Sequence, residues 1–265
     1  MMKNNLFSHI FHAAFLIFMA MPLVAVIFMS FTSKGYMAFS PLDEMSLRWY
    51  YEVFNSEVYM EAFRTSLTLG IVSSTIACII SIPACIALAK YDFYGKDLIN
   101  SFLLSPLMIP HIVLGIAFLK FFSTVGIPKS FFGLVVAHII LVSPYAMRLI
   151  LAVVYSLDKN IDNAALSLGS NKFMITFKIT LPLLLSGIVS GWLISFIQSF
   201  DELTMTIFLT PSDAITLPVK MYTDIDESLT PMITAVSGVV IFGVVTLMFI
   251  IDKFFGLEKV LIGKK

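Results

Sequence analysis

Residues 158–182 read DKNIDNAALSLGSNKFMITFKITLP, and this stretch constrains the fold more tightly than any other. It is too polar to cross a membrane and too apolar for a solvated linker. Residues 161–168 are long enough for one or two helical turns, with Ala164, Ala165 and Leu168 on one side. Gly169 then permits a left-handed turn. Phe173, Ile175, Phe177 and Ile179 resume an apolar pattern. Pro182 stands where the first turn of a following helix tolerates proline. The expectation is a short helix, a sharp turn and a second helix leading into the next apolar run. Such a knob exposes apolar groups that a matching groove on a partner would cover. An ordinary loop lying on its own bundle is the alternative.

Long apolar runs lie on both sides, at residues 131–155 and 184–209. With 10–31, 65–89, 101–123 and 233–252 they make six predicted spans. About 20 apolar residues cross a hydrocarbon core. Continuous runs of this length exclude a β-barrel, whose strands alternate and are about 10 residues long. The composition agrees. Of 265 residues, 58% are hydrophobic and 13% charged, too few charges to coat a water-soluble surface. Formal net charge is zero, so no basic face is available for nucleic acid. The first run follows Lys3, is too long for a signal-peptide core and has no small-x-small site after it, so it reads as a retained span. Cys78 and Cys85 share a helical face about 10 Å apart along the axis, too far for a disulfide, and read as small packing residues.

Lys and Arg in the loops set the orientation. One set holds Lys3, Lys90, Lys96, Lys159, Lys172, Lys178, Lys253, Lys259, Lys264 and Lys265. The opposite set holds only Lys34, Arg48, Arg64, Lys129 and Lys220 and most of the acidic residues. Both termini and the 158–182 segment are thus expected in the cytoplasm. On the opposite side, SLRWYYEVFN at 46–55 suits a short interfacial helix. Residues 210–232 carry Pro211, Pro218 and Pro231, which interrupt any continuous helix. Each segment reads as a membrane-anchoring loop or as a docking surface for an outside partner.

The spacing Asn163-Ala164-Ala165-x3-Gly169-x9-Ile179-x-Leu181-Pro182 resembles the E-A-A-x3-G-x9-I-x-L-P signature of binding-protein-dependent ABC permeases. The departure is Asn163, where the family usually has Glu. Asn163 can still cap a helix but cannot form a salt bridge. LRWYYEVF, SPLMIPHIVLGIAFL, AHIILVSPYAMR, SFDELTMTIFL and TLPVKMY are similar to the spermidine/putrescine branch, and within it to the C-type subunit. The resemblance implies an all-α, polytopic type I importer permease of six transmembrane helices, with residues 1–265 as one transmembrane domain. It implies that residues 158–178 form a cytoplasmic coupling loop that docks on an ATPase. Asn163, Ala164, Ala165, Gly169, Ile179, Leu181 and Pro182 are its coupling residues. The implied partners are a second permease in a heterodimer, two ATPase subunits and a periplasmic substrate-binding protein, in a bacterial inner membrane. No cofactor is expected on this chain; ATP and Mg belong to the ATPase. Iron or thiamine are the alternative substrates, and an ATP-independent channel or secondary carrier the alternative class.

Asp201 and Glu202 follow Phe200 late in the fifth run, about 25 Å from its cytoplasmic start. A carboxylate at such depth costs about 2.5–3.5 kcal/mol on insertion scales and normally faces a cavity or partner. Phe200, Asp201 and Glu202 are therefore candidate substrate-path residues for a passing cation. A helix end at the interface, or a structural pair with Arg64 or Lys120, would also explain the acids. His111 and His138 read as packed, hydrogen-bonded residues. Pro106 and Pro110 predict a kink in the third run. Gly187 and Gly191 form a small face for close helix packing. The chain has no G-x4-G-K-[ST] phosphate cradle, no metal-spaced Cys/His set and no nucleophile–base pair. The expectation is a transport subunit and not an enzyme.

Overall fold

A computed structural model describes residues 6–158 and 160–255. Lys3, Lys159, Lys259, Lys264 and Lys265 of the orientation argument lie outside the described residues. In chain order the helices are α1 (Leu6–Ser30), α2 (Arg48–Asn55), α3 (Glu57–Lys90), α4 (Lys96–Leu104), α5 (His111–Thr124), α6 (Phe131–Ser156), α7 (Asn160–Ser167), α8 (Lys172–Ile175), α9 (Leu181–Leu183), α10 (Leu185–Phe200), α11 (Thr206–Leu209), α12 (Leu217–Glu227) and α13 (Pro231–Phe255). Short 3-10 turns cover Leu42–Glu44 and Ser105–Met108, and a π turn covers Thr176–Thr180. Among the described residues, four helices are long and apolar enough to cross a membrane, and up to six spans result if two bent helix pairs each count as one.

Those two pairs correct the expected third and fifth spans. The third is not one helix over 101–123: Lys96–Met108 and His111–Thr124 meet at 105°. The cause is local. Ile109 is extended at ψ 128, as a residue before proline prefers, and Pro110 offers no N–H to continue the ladder. In the fifth, Lys172–Leu183 and Leu185–Phe200 meet at 63°. Pro182 lies before that bend, within the first arm, and does not open the span. It follows a π turn in which the Leu181 N–H bonds Thr176 O. The helix then stops at Phe200 and resumes only at Thr206, so residues 184–209 are not continuous either.

The second span begins earlier than expected. Ser56 Oγ accepts from Tyr59 N at 3.4 Å, an N-cap that starts α3 at Glu57 despite the charges of its first turns. The fourth, α6, matches 131–155 to within a residue.

The chain forms two compact units. One contains the described residues up to Met60, with Lys220–Leu247. In it, Trp49 and Val53 bury one face of α2, while Arg48 pairs with Glu52 at 2.7 Å on the other. Tyr50 Oη meets Ser30 Oγ at 2.7 Å, and a Cβ on Gly238 would come within 2.6 Å of that hydroxyl. Lys220 pairs with Asp224, which also accepts from the Tyr59 hydroxyl. The 210–232 segment is interrupted as its prolines predict: it holds an 11-residue helix, α12, with Pro218 in its first turn, where the missing N–H is harmless, while Pro211 lies outside it and Pro231 begins α13.

The other unit contains Glu61–Val219 and the described residues from Met248. Its core is α6, which buries Leu134, Leu141, Val142, Ala146 and Ile150. Helix α10 lies along it. Cβ atoms on Gly187 and Gly191 would come within 2.8 Å of Val153 Cγ2 and 3.1 Å of Ala146 O. The small face predicted from the sequence is thus used within this chain, where dispersion contacts between close backbones replace the missing hydrophobic drive.

Candidate coupling and substrate-path sites

The 158–182 segment is built by three local devices. Asp158 Oδ1 accepts from Asn160 N at 2.9 Å, at the start of α7. The helix ends in a Schellman turn. Gly169 takes φ +85, its N–H bonds Leu166 O at 2.9 Å, and Ser170 N bonds Ala165 O at 3.1 Å. Asn171 Oδ1 then accepts from Met174 N at 2.8 Å and caps α8. The expected helix, turn and helix are all present.

Ala165 is buried, but Asn163, Ala164, Gly169 and Leu168 are exposed. Ala164, Ala165 and Leu168 therefore do not share one environment. Asn163 caps nothing: it sits mid-helix, with its carbonyl accepting from Ser167 Oγ at 2.9 Å. Ile179 and Leu181 are half-buried and Pro182 is exposed. The outward surface is apolar. Leu168 and Phe173 are 87% and 73% exposed, and the Phe173 and Phe177 rings lie 4.5 Å apart.

One component escaped the sequence reading. Lys90, the last residue of α3, reaches Asp162 Oδ2 at 2.5 Å and Thr180 Oγ1 at 3.1 Å. A single ammonium thus ties α3 to α7 and to the π turn beyond it. These groups line a cleft of about 400 Å³ with Asp92, Lys96, Asp158 and Asn163. From the sequence, Lys90 is only one of the loop charges that set the orientation. Its place at the end of a 34-residue helix was the available signal.

The second site is the interruption after α10. Phe200 is half-buried, 5.8 Å from the Phe196 ring and 6.0 Å from that of Phe63. Phe196 stacks in turn on Trp192 at 5.4 Å, so an aromatic row runs along α10. Asp201 is exposed, and its carboxylate makes no hydrogen bond or ion pair with the described residues. Glu202 is 6% exposed and turned inward. Its Oε2 meets His111 Nδ1 at 2.7 Å, and its Oε1 accepts from Met205 N at 2.5 Å. The carboxylate's partner is therefore His111 and not Arg64 or Lys120. His138 is fully buried, with Nδ1 2.8 Å from Ser199 Oγ and Nε2 3.0 Å from Thr206 Oγ1. Both histidines are packed and hydrogen-bonded, and both serve the same interruption.

Long apolar helices and two broken spans define a polytopic helical membrane protein. The chain belongs to the family of binding-protein-dependent transport system inner membrane components, which it matches over residues 81–256. It is a permease, a multi-pass inner-membrane transport subunit and not an enzyme. It is 32% identical over 196 residues to the spermidine/putrescine transport system permease protein PotC of Haemophilus influenzae, covering 74% of this chain and 76% of the relative. Its identity to the PotC protein of Escherichia coli K12 is 28% over 231 residues, 87% of each chain. The putrescine transport system permease protein PotI of that strain is likewise 28% identical, over 84% of this chain and 82% of the relative. In fold, the chain resembles the crystal structure of a bacterial ABC transporter involved in import of the acidic polysaccharide alginate. The TM-score is 0.73 at 15% identity, over 94% of this chain and 95% of the other.

Proposed function

We propose that this permease imports polyamines, spermidine or putrescine, by ATP-driven alternating access. Both its termini and the 158–178 coupling loop lie in the cytoplasm. Its working assembly pairs it with a second, different permease, two ATPase subunits that bind ATP and Mg, and a periplasmic substrate-binding protein. The observation that carries the substrate is the unpaired Asp201 carboxylate at the end of an aromatic row, in a chain whose relatives carry polyamine-permease names. A polyammonium ion gains charge attraction from Asp201 and cation–π contact from Phe200 and Phe196.

Coupling follows from the connectivity. Nucleotide closure of the ATPase pair displaces the exposed Leu168, Phe173 and Phe177 surface. The Gly169 turn and the Lys90 clasp make α7, α8 and the π turn move together. That motion enters α10 through the bend at Leu184. Asp201 lies at the far end of α10, about 24 Å from Leu185 at 1.5 Å per residue. Asn163, Ala164, Ala165, Gly169, Ile179, Leu181 and Pro182 form the coupling set, and Phe200, Asp201 and Glu202 the substrate-path set, in which Phe200 and Asp201 meet the substrate and the buried Glu202 lies behind them.

Uptake of radiolabelled spermidine and putrescine, in cells lacking other polyamine importers and with or without this gene, tests the reading. Loss on deletion and recovery on return of the gene is the expected result. Unchanged uptake removes the polyamine assignment, and iron and thiamine are then assayed.

A further inference from the structure

The sequence presents Asp201 and Glu202 as one acidic pair, but the structure separates them. Adjacent residues near a helix end do not share a face. Here one carboxylate is exposed and unpaired, and the other is nearly enclosed with both oxygens engaged. For Glu202 to meet a substrate, it would have to give up His111 and the Met205 N–H.

The five residues between α10 and α11 are held from two sides. His138 joins Ser199, near the last residue of α10, to Thr206, the first of α11, through its two ring nitrogens. One imidazole thus fixes the separation of the two helix ends. From the other side, His111, the first residue of α5, holds Glu202, and Glu202 holds the Met205 N–H. Helix α5 comes this close because residue 115 is glycine: a Cβ there would lie 3.0 Å from Met205 Cα. The proline break that begins α5 at His111 and the interruption after Phe200 are therefore one joined structure.

We infer that Glu202 and His111, with His138 behind them, are positioning residues that hold the interruption in one shape so that Asp201 alone presents charge to the substrate. This rests on the substrate-path reading of Asp201 given above. A single fixed carboxylate offers one ammonium site at this level of the path, whereas an acidic pair would offer a divalent one.

The test is a double-mutant cycle on spermidine uptake by the whole transporter, with half-saturation concentration and maximal rate measured separately and the permease level in the membrane quantified. Asp201→Asn is expected to raise the half-saturation concentration about tenfold, the size of one lost charge-assisted contact. Glu202→Ala and His111→Ala, each alone, are expected to raise it severalfold. In the Asp201→Asn background neither should raise it further, because each acts through Asp201. Glu202→Gln, which keeps an acceptor for the Met205 N–H, should recover most of the Glu202→Ala loss. Additive increases would overturn the inference by making Glu202 a direct substrate contact. A lower membrane level at unchanged half-saturation concentration would overturn it by leaving only a structural role. If Glu202→Ala does not assemble, the partly exposed His111→Ala carries the same cycle. An unchanged value in Asp201→Asn alone refutes the substrate-path reading itself, which separates that failure from the first two.

Discussion

The two ends of α10 are held in opposite ways. At one end, the coupling segment is fixed by backbone geometry and a partly exposed ion pair, Lys90 with Asp162, and its apolar residues point outward. At the other, the interruption is fixed by side-chain hydrogen bonds from two histidines, His138 fully buried and His111 partly so, and its one exposed charge is the Asp201 carboxylate. A surface proposed to dock a partner must stay open to it, and this one is rigidified through its own turn and caps. A broken helix inside a bundle leaves polar groups without water, so neighbouring side chains must satisfy them.

This contrast can be broken first at His138. His138→Ala removes two buried hydrogen bonds and leaves a cavity, a loss of about 2–3 kcal/mol. Thermal unfolding of the purified permease in detergent should show a clearly lower midpoint. An unchanged midpoint would mean that the interruption is held by packing alone. At the coupling end, Gly169→Val should cost about 1–3 kcal/mol in backbone strain at φ +85. No heavy atom lies within 4 Å of the Cβ position, so the strain acts without a clash. Uptake should fall more than tenfold with the chain still in the membrane. Gly169→Asn, which tolerates the left-handed region, should retain more uptake than valine, and equal loss in both would point to sterics against the ATPase.

Between the two ends, Gly191→Ala tests the α10–α6 contact. Its methyl would meet Ala146 O at 3.1 Å, and about 1 kcal/mol of overpacking is expected, read as a small drop in unfolding midpoint. The smallest effect belongs to the clasp. Lys90→Met should cost less than about 1 kcal/mol of stability, because both partners are partly exposed and screened. Its effect should appear in ATP hydrolysed per molecule imported, and the exchanged pair Lys90→Asp with Asp162→Lys should recover part of it. A full loss of stability in Lys90→Met would make the clasp a structural element and not a coupling one.

Much of the coupling segment was legible because its determinants are local. Gly169 needs φ above zero, and short helices either side follow from residues within a few positions. The long spans were equally readable, since their length against the bilayer is a property of sequence alone. The breaks were harder. Pro106 and Pro110 announced a kink but not a 105° turn, and Asp201 and Glu202 allowed a helix end after Phe200 but did not announce that helix resumes at Thr206. Pro211, Pro218 and Pro231 rightly ruled out a continuous helix over 210–232, but only the structure shows the short helix that begins with Pro218 in its first turn. Asn163 misled because capping depends on where the helix starts, and Asp158 had already taken the place near that start.

By itself the sequence determined a polytopic helical protein, the approximate spans, the helix-turn-helix at 158–182 and the family to which it belongs, because apolar length, glycine φ and motif spacing are properties of near neighbours in the chain. Only the tertiary structure decided that Glu202 answers to His111, that His138 bridges Ser199 and Thr206, that Lys90 clasps Asp162, and so that Asp201 stands alone. Those pairings join residues 61 to 91 positions apart. In an apolar interior a polar group takes whichever partner packing brings within reach, and packing is set by the whole bundle.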